Sequence, residues 1–357
     1  MALTPVVLLF AVAASACRDG AAETAEGAGI EQTKAVTLRE SDTAYIARIG
    51  GFAVGAGGAV FVSDVLNANV LQFDAAGVLT RRIGRRGRGP GEFIRPGAIG
   101  VSDSLVYVVN GGFELNAFRL PAADFEWKRL LPTRPVFNIR PSPQGLIINV
   151  SDSARHAVIG LVSGQNDSAR YVRLYPSPLG RSRAVDAWYS YPVFSTWSDD
   201  SVVVAIEASD HLFWGALGHQ TFDSIAIPRR RRRGSRPDLY RKVTPDPTTM
   251  RPLLYRTSHP WAIKRLSSGL VAYVVTDQEY ARNRFSGDMF VSLVDRERRT
   301  VCADVPIRVP KDPQPWVTFV GDTLAVLLQD VDSSGKPFAQ LRHFVFRPEA
   351  CSWIAAQ

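Results

Sequence analysis

The amino-acid sequence predicts an all-β fold, a six-bladed β-propeller with four-stranded antiparallel blades. Short apolar and β-branched segments alternate with turns rich in Gly, Asn and Asp, a pattern typical of antiparallel strands. The composition is rich in turn residues, with 28 Gly and 23 Pro in 357 residues. A single four-stranded unit cannot bury both of its faces, so we expect the units to stack around a central channel. Six units account for the chain and leave no segment for a seventh.

The strand signal is clearest in blade one, which we predict over 49–84. Its four strands are expected at 51–55, 59–63, 70–74 and 78–83. The same signal places the other blades at about 96–132, 136–175, 192–227, 261–309 and 316–346. Because the last blade lacks an outer strand of its own, residues 34–39 are predicted to supply it. This pairing would close the ring and cover two sheet edges.

Glycines dominate the junction between blades one and two. Gly84, Gly87, Gly89 and Gly91 allow the backbone to turn inward from an outer strand to the next inner strand. The Gly-x-Gly-x-Gly pattern could also suggest a phosphate loop, which requires a helix N-terminus after it. Pro96 and another strand follow instead, so we interpret the segment as a blade junction.

The junction also carries a family resemblance. Residues 87–96 read Gly-Arg-Gly-Pro-Gly-Glu-Phe-x-x-Pro and are followed by an apolar strand. This segment resembles the blade boundary of NHL-repeat six-bladed propellers, and Asp64, Asn67 and 71–77 are similar to the interior of such a repeat. The resemblance extends over about two blades and implies an NHL-like propeller of the bacterial lipoprotein type.

Residues 1–17 are predicted to be an export signal. The apolar run 3–16 is too short to span a bilayer comfortably and leads directly to Cys17. Small residues before a cysteine resemble a bacterial lipobox, in which Cys17 would become the lipidated first residue of the mature chain. An ordinary Ala-x-Ala cleavage signal is the alternative. Both place the protein in the bacterial cell envelope, on the periplasmic side or the cell surface.

The segment 18–33 is small, polar and acidic, and we predict a flexible tether there, followed by the propeller over 34–357. With Cys17 assigned to lipid, Cys302 and Cys351 remain as a pair in an oxidising compartment. Both are expected on the same face of the disc, so a disulfide is geometrically feasible. Two separate buried thiols are the alternative.

Polar connections follow the second strand of each predicted blade, all on one face of the disc. They could surround the mouth of the channel and bind a cation or a polar ligand. Alternatively, Asp and Asn are there because they are good turn residues. The candidate ligand-binding residues are Asp64, Asn67, Asn110, Asp152, His156, Glu207, His211 and Asp277.

A candidate metal site lies in blade six. Asp330, Asp332 and Ser334 occupy the first, third and fifth positions of a segment that resembles half of a calcium loop, and Gly335 occupies the sixth. Leu341 stands where the loop needs a bidentate Glu, and a hairpin turn explains the same residues. The sequence suggests no definite cofactor beyond calcium or another divalent cation.

An irregular insertion, 228–260, separates blades four and five and contains five consecutive arginines. Adjacent like charges must be solvated or paired with anions. The run could contact anionic lipid head groups, polysaccharide or an acidic patch on a partner, or could be a solvated loop paired with neighbouring carboxylates. It should lie on the same face as the polar connections, where it could act as a lid. We call it the arginine run; it comprises Arg229, Arg230, Arg231, Arg232 and Arg233.

The sequence contains none of the common catalytic signatures: His-Glu-x-x-His, Cys-x-x-Cys, Gly-x-Ser-x-Gly or a Walker loop. The formal net charge of +8 favours acidic partners, and export disfavours nucleic acid. We therefore predict a lipid-anchored module that binds or scaffolds a protein, glycan or small ligand of the cell envelope at one face of the channel. The alternative is a metal-dependent hydrolase, lactonase or lyase that uses the acidic connections.

Overall fold

The computed structural model of this chain describes most of the molecule from Gly29 onward. The described residues are 29–41, 44–132, 136–152, 157–165, 168–176, 192–198, 201–207, 209–219, 221–235, 257–281, 284–310, 315–331 and 337–356. They form β-strands and their connections, with two short 3-10 helices at Ala56–Gly58 and Pro348–Ala350. The predicted signal 1–17, with Cys17, and the part 236–256 of the insertion lie outside the described residues.

The fold is a six-bladed β-propeller of antiparallel four-stranded blades, as the sequence predicts. In the order of the chain, from inner to outer strand, blades one to three are Ile49–Val54, Val60–Asp64, Asn69–Phe73, Leu79–Ile83; Pro96–Val101, Leu105–Asn110, Glu114–Arg119, Asp124–Leu130; and Ile139–Ser142, Gly145–Asp152, Ala157–Gln165, Ser168–Pro176. Blades four to six are Val193–Thr196, Ser201–Ala205, His211–Ala216, Asp223–Ala226; Ser258–Arg265, Val271–Ala281, Arg284–Asp295, Thr300–Pro306; and Trp316–Val320, Thr323–Val331, Pro337–Phe346 with Ile30–Leu38.

Burial decreases from the second strand of a blade to its outer strand. In blade one, Val60–Asp64 is buried at every position, whereas Leu79–Ile83 is exposed at its three central residues. The core consists of apolar layers between neighbouring blades, such as the layer in which Val203 of blade four and Val275 of blade five take part. The second strands therefore read as continuous apolar runs, because both of their faces are covered.

The ring is closed by the N-terminal strand Ile30–Leu38, which pairs antiparallel with Pro337–Phe346. The strand begins at Ile30, so the predicted closing strand 34–39 is too short, and the predicted tether 18–33 is wrong for residues 30–33. The sequence gives little sign of this extension, because the added residues are polar. They are held by backbone pairing at the outer rim, and Glu31 forms a 2.7 Å ion pair with Arg347.

A second closure links the C-terminal segment to blade five. Cys302 and Cys351 form a disulfide with a Cα–Cα distance of 5.7 Å. Just beyond it, Ile354–Ala355 pairs antiparallel with the outer strand Thr300–Pro306 as a fifth strand of that blade. The sequence pattern did not predict this short strand.

In the glycine-rich junction, Arg85–Arg86 pairs in parallel with Glu92–Phe93, another element that the sequence did not predict. The Glu92 carboxylate accepts a hydrogen bond from the backbone N–H of Gly89 at 2.9 Å and pairs with Arg85 at 2.9 Å. These contacts lower the pKa of Glu92. A Cβ on Gly87 would lie 2.0 Å from a Glu92 carboxylate oxygen, so this position requires glycine.

The two faces of the disc differ in their connections. One face, here called the wide face, carries the links from second to third strands and the links from each outer strand to the next blade. The opposite face, the narrow face, carries the links from first to second and from third to fourth strands. The described part of the arginine run lies on the wide face, where the sequence predicts it. Among the described residues, no helix is long and apolar enough to cross a membrane.

Candidate functional site

The central channel contains two cavities, one toward each face. The cavity toward the wide face has a volume of about 590 Å³, and the one toward the narrow face about 220 Å³. Residues on or beside the inner strands of all six blades line both. The larger volume is in the range of small-molecule sites. We call them the wide cavity and the narrow cavity.

Aromatic and aliphatic side chains form much of the wall of the wide cavity. Trp261 of blade five and Trp316 of blade six both line it, with ring centroids 6.1 Å apart in an edge-to-face arrangement. Phe52, Ile99 and Val193 line it from blades one, two and four. Such a wall can bury an apolar body, and the tryptophan rings can stack on a planar one.

The same wall contains a buried acid–base pair. Glu207 follows the second strand of blade four, and His259 lies on the inner strand of blade five. The His259 Nδ1 and Glu207 Oε1 atoms are 2.9 Å apart, and the two side chains are 9 % and 0 % exposed. Asn138 and Gln278 add amide groups to the lining. The wide cavity thus offers a few polar groups in an otherwise apolar wall, as in many ligand sites.

Two cations line the narrow cavity, Arg140 from blade three and Lys264 from blade five. Arg140 also lines the wide cavity, so its side chain lies where the two cavities approach each other. Burial lowers the pKa of Arg140. The hydroxyl-bearing Thr196 and Thr318 are on the same wall. This end of the channel is suited to an anion.

Three of the polar residues at the ends of second strands hold the segment that leads into the inner strand of their own blade. Asp64 accepts hydrogen bonds from the backbone N–H groups of Ala47 and Arg48 at 2.6 and 3.1 Å. Asn110 does the same for two successive N–H groups, both at 2.9 Å. Asn149, which the sequence analysis did not select, repeats the arrangement at 2.8 and 2.9 Å. These side chains shape the wide mouth without lining the cavity, apart from Asn149.

Asp277 has a comparable place in blade five. Its carboxylate accepts a hydrogen bond from the Ser258 hydroxyl at 2.5 Å and one from the backbone N–H of Arg233 at 2.8 Å. Burial raises the pKa of Asp277, and these two hydrogen bonds act in the opposite direction. Asn67 lies on blade one, where its amide donates to Asp64 at 2.9 Å.

Of the eight candidate ligand-binding residues, Glu207 lines the wide cavity. His211 is exposed on blade four and stacks on Phe213 with a centroid distance of 5.9 Å. Asp152 ends the second strand of blade three. His156, Asp332 and Ser334 lie outside the described residues, and Asp330 accepts a hydrogen bond from the backbone N–H of Val331 at 2.8 Å.

Arg232 belongs to a buried ion cluster. Its Nε atom lies 2.9 Å from Asp304 Oδ1, and another guanidinium nitrogen contacts Asp210. The side chains of Arg232 and Asp304 are 1 % and 0 % exposed. Asp304 also accepts hydrogen bonds from the backbone N–H groups of Arg230 and Arg231 at 2.6 and 3.0 Å. Arg232 therefore cannot contact a partner, in contrast to the prediction for the whole run.

The other arginines of the run remain at the surface, but they too are fixed to the disc. Arg229 pairs with Asp210 at 2.6 Å, and the Arg233 guanidinium donates to the Gln278 carbonyl at 2.9 Å. The sequence could not reveal this arrangement, because Asp210 and Asp304 are 22 and 72 positions from Arg232.

Sequence reasoning missed Arg140, Lys264 and His259, although a usable signal existed. All three lie in predicted inner strands or just beside them, and inner strands line the channel of a propeller. A charged residue in such a strand is therefore a candidate for the channel wall. The analysis looked at the ends of second strands instead, where turn chemistry places Asp and Asn.

Comparison with sequence families agrees with this architecture. The profile of the DUF5128 family, described as a 6-bladed beta-propeller, matches residues 35–138. The match covers most of the closing strand together with blades one and two. No curated protein sequence matches the chain significantly.

Solved structures show the same fold over nearly the whole chain. A Bacteroides fragilis NCTC 9343 protein, provisionally named an exported protein, is 12 % identical with a TM-score of 0.59, covering 90 % of this chain and 96 % of its own. A member of the duf4221 family from Bacteroides vulgatus ATCC 8482 is 10 % identical with a TM-score of 0.64, covering 90 % of this chain and 99 % of its own. At these identities the similarity concerns the fold alone.

Proposed function

We propose that this propeller is a binding module whose ligand occupies the wide cavity of the channel. The observation that carries the proposal is a cavity of about 590 Å³ to which all six blades contribute. Its aromatic wall and its Glu207–His259 pair supply the combination of apolar surface and few polar groups that small ligands use. The arrangement supports a small ligand over a glycan or a protein inside the channel.

The wide face adds apolar surface around this mouth. Several large hydrophobic side chains are exposed in its connections, at 37–61 % of their area. Exposed apolar surface of this kind is typical of contact regions. These residues are Tyr45, Leu66, Ile94, Phe113, Phe137 and Val331. They would support a larger partner at this face, such as an envelope protein, in addition to a ligand in the cavity.

The test uses N-phenyl-1-naphthylamine, a neutral fluorescent probe with an aromatic body. We expect saturable binding to the mature chain with one site, and a roughly tenfold weaker affinity in Trp261→Ala, because one aromatic wall is lost. Trp127→Ala is the matched control, since Trp127 lies on the outer strand of blade two. Equal affinity in the wild type and both variants would place the probe elsewhere and reject the cavity as the binding site.

We also propose that the chain is exported and anchored through lipid on Cys17. Support comes from the apolar run before Cys17 and from the Cys302–Cys351 disulfide, which is typical of oxidising compartments. The test is labelling of cells that express the full chain with radioactive palmitate. Incorporation into the wild type and its loss in Cys17→Ser are expected; an unlabelled wild type would leave an ordinary cleavage signal.

The metal-dependent enzyme needs several ligands that converge on the channel. Within the described ranges, no three His, Cys, Asp or Glu side chains are grouped to hold a metal ion. Asp64 and Asp277 already accept hydrogen bonds from backbone groups. The described residues do not fit a metal site, and we derive no metal-dependent step.

A further inference from the structure

Charge is distributed unevenly along the channel. The carboxylate of Glu207, held against His259, is in the wall of the wide cavity, whereas Arg140 and Lys264 are in the wall of the narrow cavity. No acidic residue lines the narrow cavity among the described residues. The electrostatic potential should therefore become more positive from the wide mouth inward.

The two cations of the narrow cavity lack the partners that buried cations usually have. Neither Arg140 nor Lys264 forms a hydrogen bond or an ion pair through its side chain with any residue that the structure describes. Elsewhere this fold provides carboxylates for a buried arginine: Arg232 contacts both Asp210 and Asp304. Burying an unpaired guanidinium costs free energy, so its presence needs a reason other than stability.

We propose that the channel binds a small organic anion, with its head group between Arg140 and Lys264 and its apolar body against Trp261 and Trp316. This proposal rests on the binding function proposed above and assigns its ligand class. A planar guanidinium binds the two oxygens of a carboxylate or similar oxyanion side by side, and an ammonium group adds a second charge.

The opposite ends of the channel also set the orientation of this ligand. An anionic head group is attracted toward Arg140 and repelled by the Glu207 carboxylate, so it should point toward the narrow face. The aromatic wall then covers the part of the ligand that carries no charge. An inorganic ion would leave this wall unused, which favours an organic anion over phosphate or sulfate.

The experiment compares two probes that differ by one anionic group. 8-Anilinonaphthalene-1-sulfonate carries a sulfonate on the aromatic body of N-phenyl-1-naphthylamine. We expect wild-type protein to bind the sulfonate at least tenfold more tightly than the neutral probe. Arg140→Gln should weaken sulfonate binding about tenfold to a hundredfold, the usual range for a charge-assisted hydrogen bond, and should leave the neutral probe unchanged.

Three controls separate charge from structure. Arg140→Lys should recover part of the lost affinity, because it restores the charge. Arg82→Gln, on the exposed outer strand of blade one, removes the same charge far from the channel and should have no effect. The melting temperature of ligand-free Arg140→Gln should equal or exceed that of the wild type, whereas a structural arginine would lower it.

The outcomes distinguish this inference from the proposed function. Failure of the neutral probe to bind the cavity would reject the binding function itself. Cavity binding of both probes with equal affinity, or sulfonate binding unchanged in Arg140→Gln, would reject the anion while keeping the binding function. Displacement of the sulfonate by millimolar inorganic phosphate as effectively as by 1-naphthoate would replace the organic anion with an inorganic one.

Discussion

Asp304 holds the arginine run against blade five with a single carboxylate. It accepts hydrogen bonds from three successive backbone N–H groups and from the side chain of Arg232. Asp304 has a φ of 56°, a conformation that is uncommon outside glycine, Asn and Asp. The sequence marks five arginines clearly, but it does not show which one is buried, because the answer depends on acids far away in the chain.

We expect Asp304→Ala to lower the free energy of unfolding by about 3–5 kcal/mol, because it leaves the Arg232 charge buried with part of its pairing removed. Urea unfolding measures the change. The matched control is Asp223→Ala, whose carboxylate is 42 % exposed and pairs with Arg296 at 3.0 Å. Its cost should be below about 1 kcal/mol. Equal costs for the two variants would contradict a structural role for the cluster.

The same contrast explains how much of the candidate site could be predicted. Glu207 was selected because it follows a second strand, and it does line the cavity. Asp64 and Asn110 were selected on the same ground, yet their side chains bind backbone N–H groups. Sequence position places a residue on the correct face of the disc, but the direction of its side chain depends on the segment that passes beside it.

At the scale of elements, the strands of all six blades follow from periodicity and turns. The errors occur where an element is held by backbone pairing with little apolar burial. Residues 30–33 extend the closing strand, and Ile354–Ala355 adds a strand to blade five. Both are edge elements, and edge strands carry a weak hydrophobic signal because one side faces solvent.

The closing pair also contains a titratable group, since His343 lies opposite Lys34 in the register of the two strands. Burial lowers the pKa of His343, and the charge of Lys34 lowers it further. As pH falls through the unfolded value of about 6.5, the unfolded chain takes up the proton first. Stability should therefore decrease below that pH and be insensitive to this group above it.

We expect the melting temperature to fall less between pH 7.5 and pH 5.5, chosen as about one unit either side of the ordinary histidine pKa, in His343→Gln than in the wild type. Thermal unfolding monitored by circular dichroism gives the comparison. His219→Gln is the matched control, because His219 is exposed on blade four. If His343→Gln retains the full decrease, another group is responsible for it.

At the scale of the whole molecule, the ring is closed twice. The N-terminal strand completes blade six, and the Cys302–Cys351 disulfide with Ile354–Ala355 attaches the C-terminal segment to blade five. Six blades could be counted from the sequence because each contributes its own strand signal. The second closure could not, because two cysteines at a separation of 49 residues do not establish a pair.

Removing the disulfide should destabilise the whole propeller, because a loop closed by 49 residues restricts the unfolded chain. We expect a loss of about 2–4 kcal/mol in the Cys302→Ala, Cys351→Ala double variant, measured by urea unfolding. A reducing agent should lower the melting temperature of the wild type and leave that of the double variant unchanged. An unaffected wild type would mean that strand pairing alone secures this segment.

The double closure also brings the two described ends of the chain together. The Arg347 backbone N–H donates to the Gly29 carbonyl at 2.9 Å, and a Cβ on Gly29 would lie 3.0 Å from Cys351 Sγ. A short linker could therefore join the ends, and the chain could be cut instead at the 3-10 turn Ala56–Gly58. Such a circular permutant would keep every blade contact while moving the point of ring closure to blade one. The position of the seam is thus a property of the gene order of the blades, and the geometry of the ring does not require it.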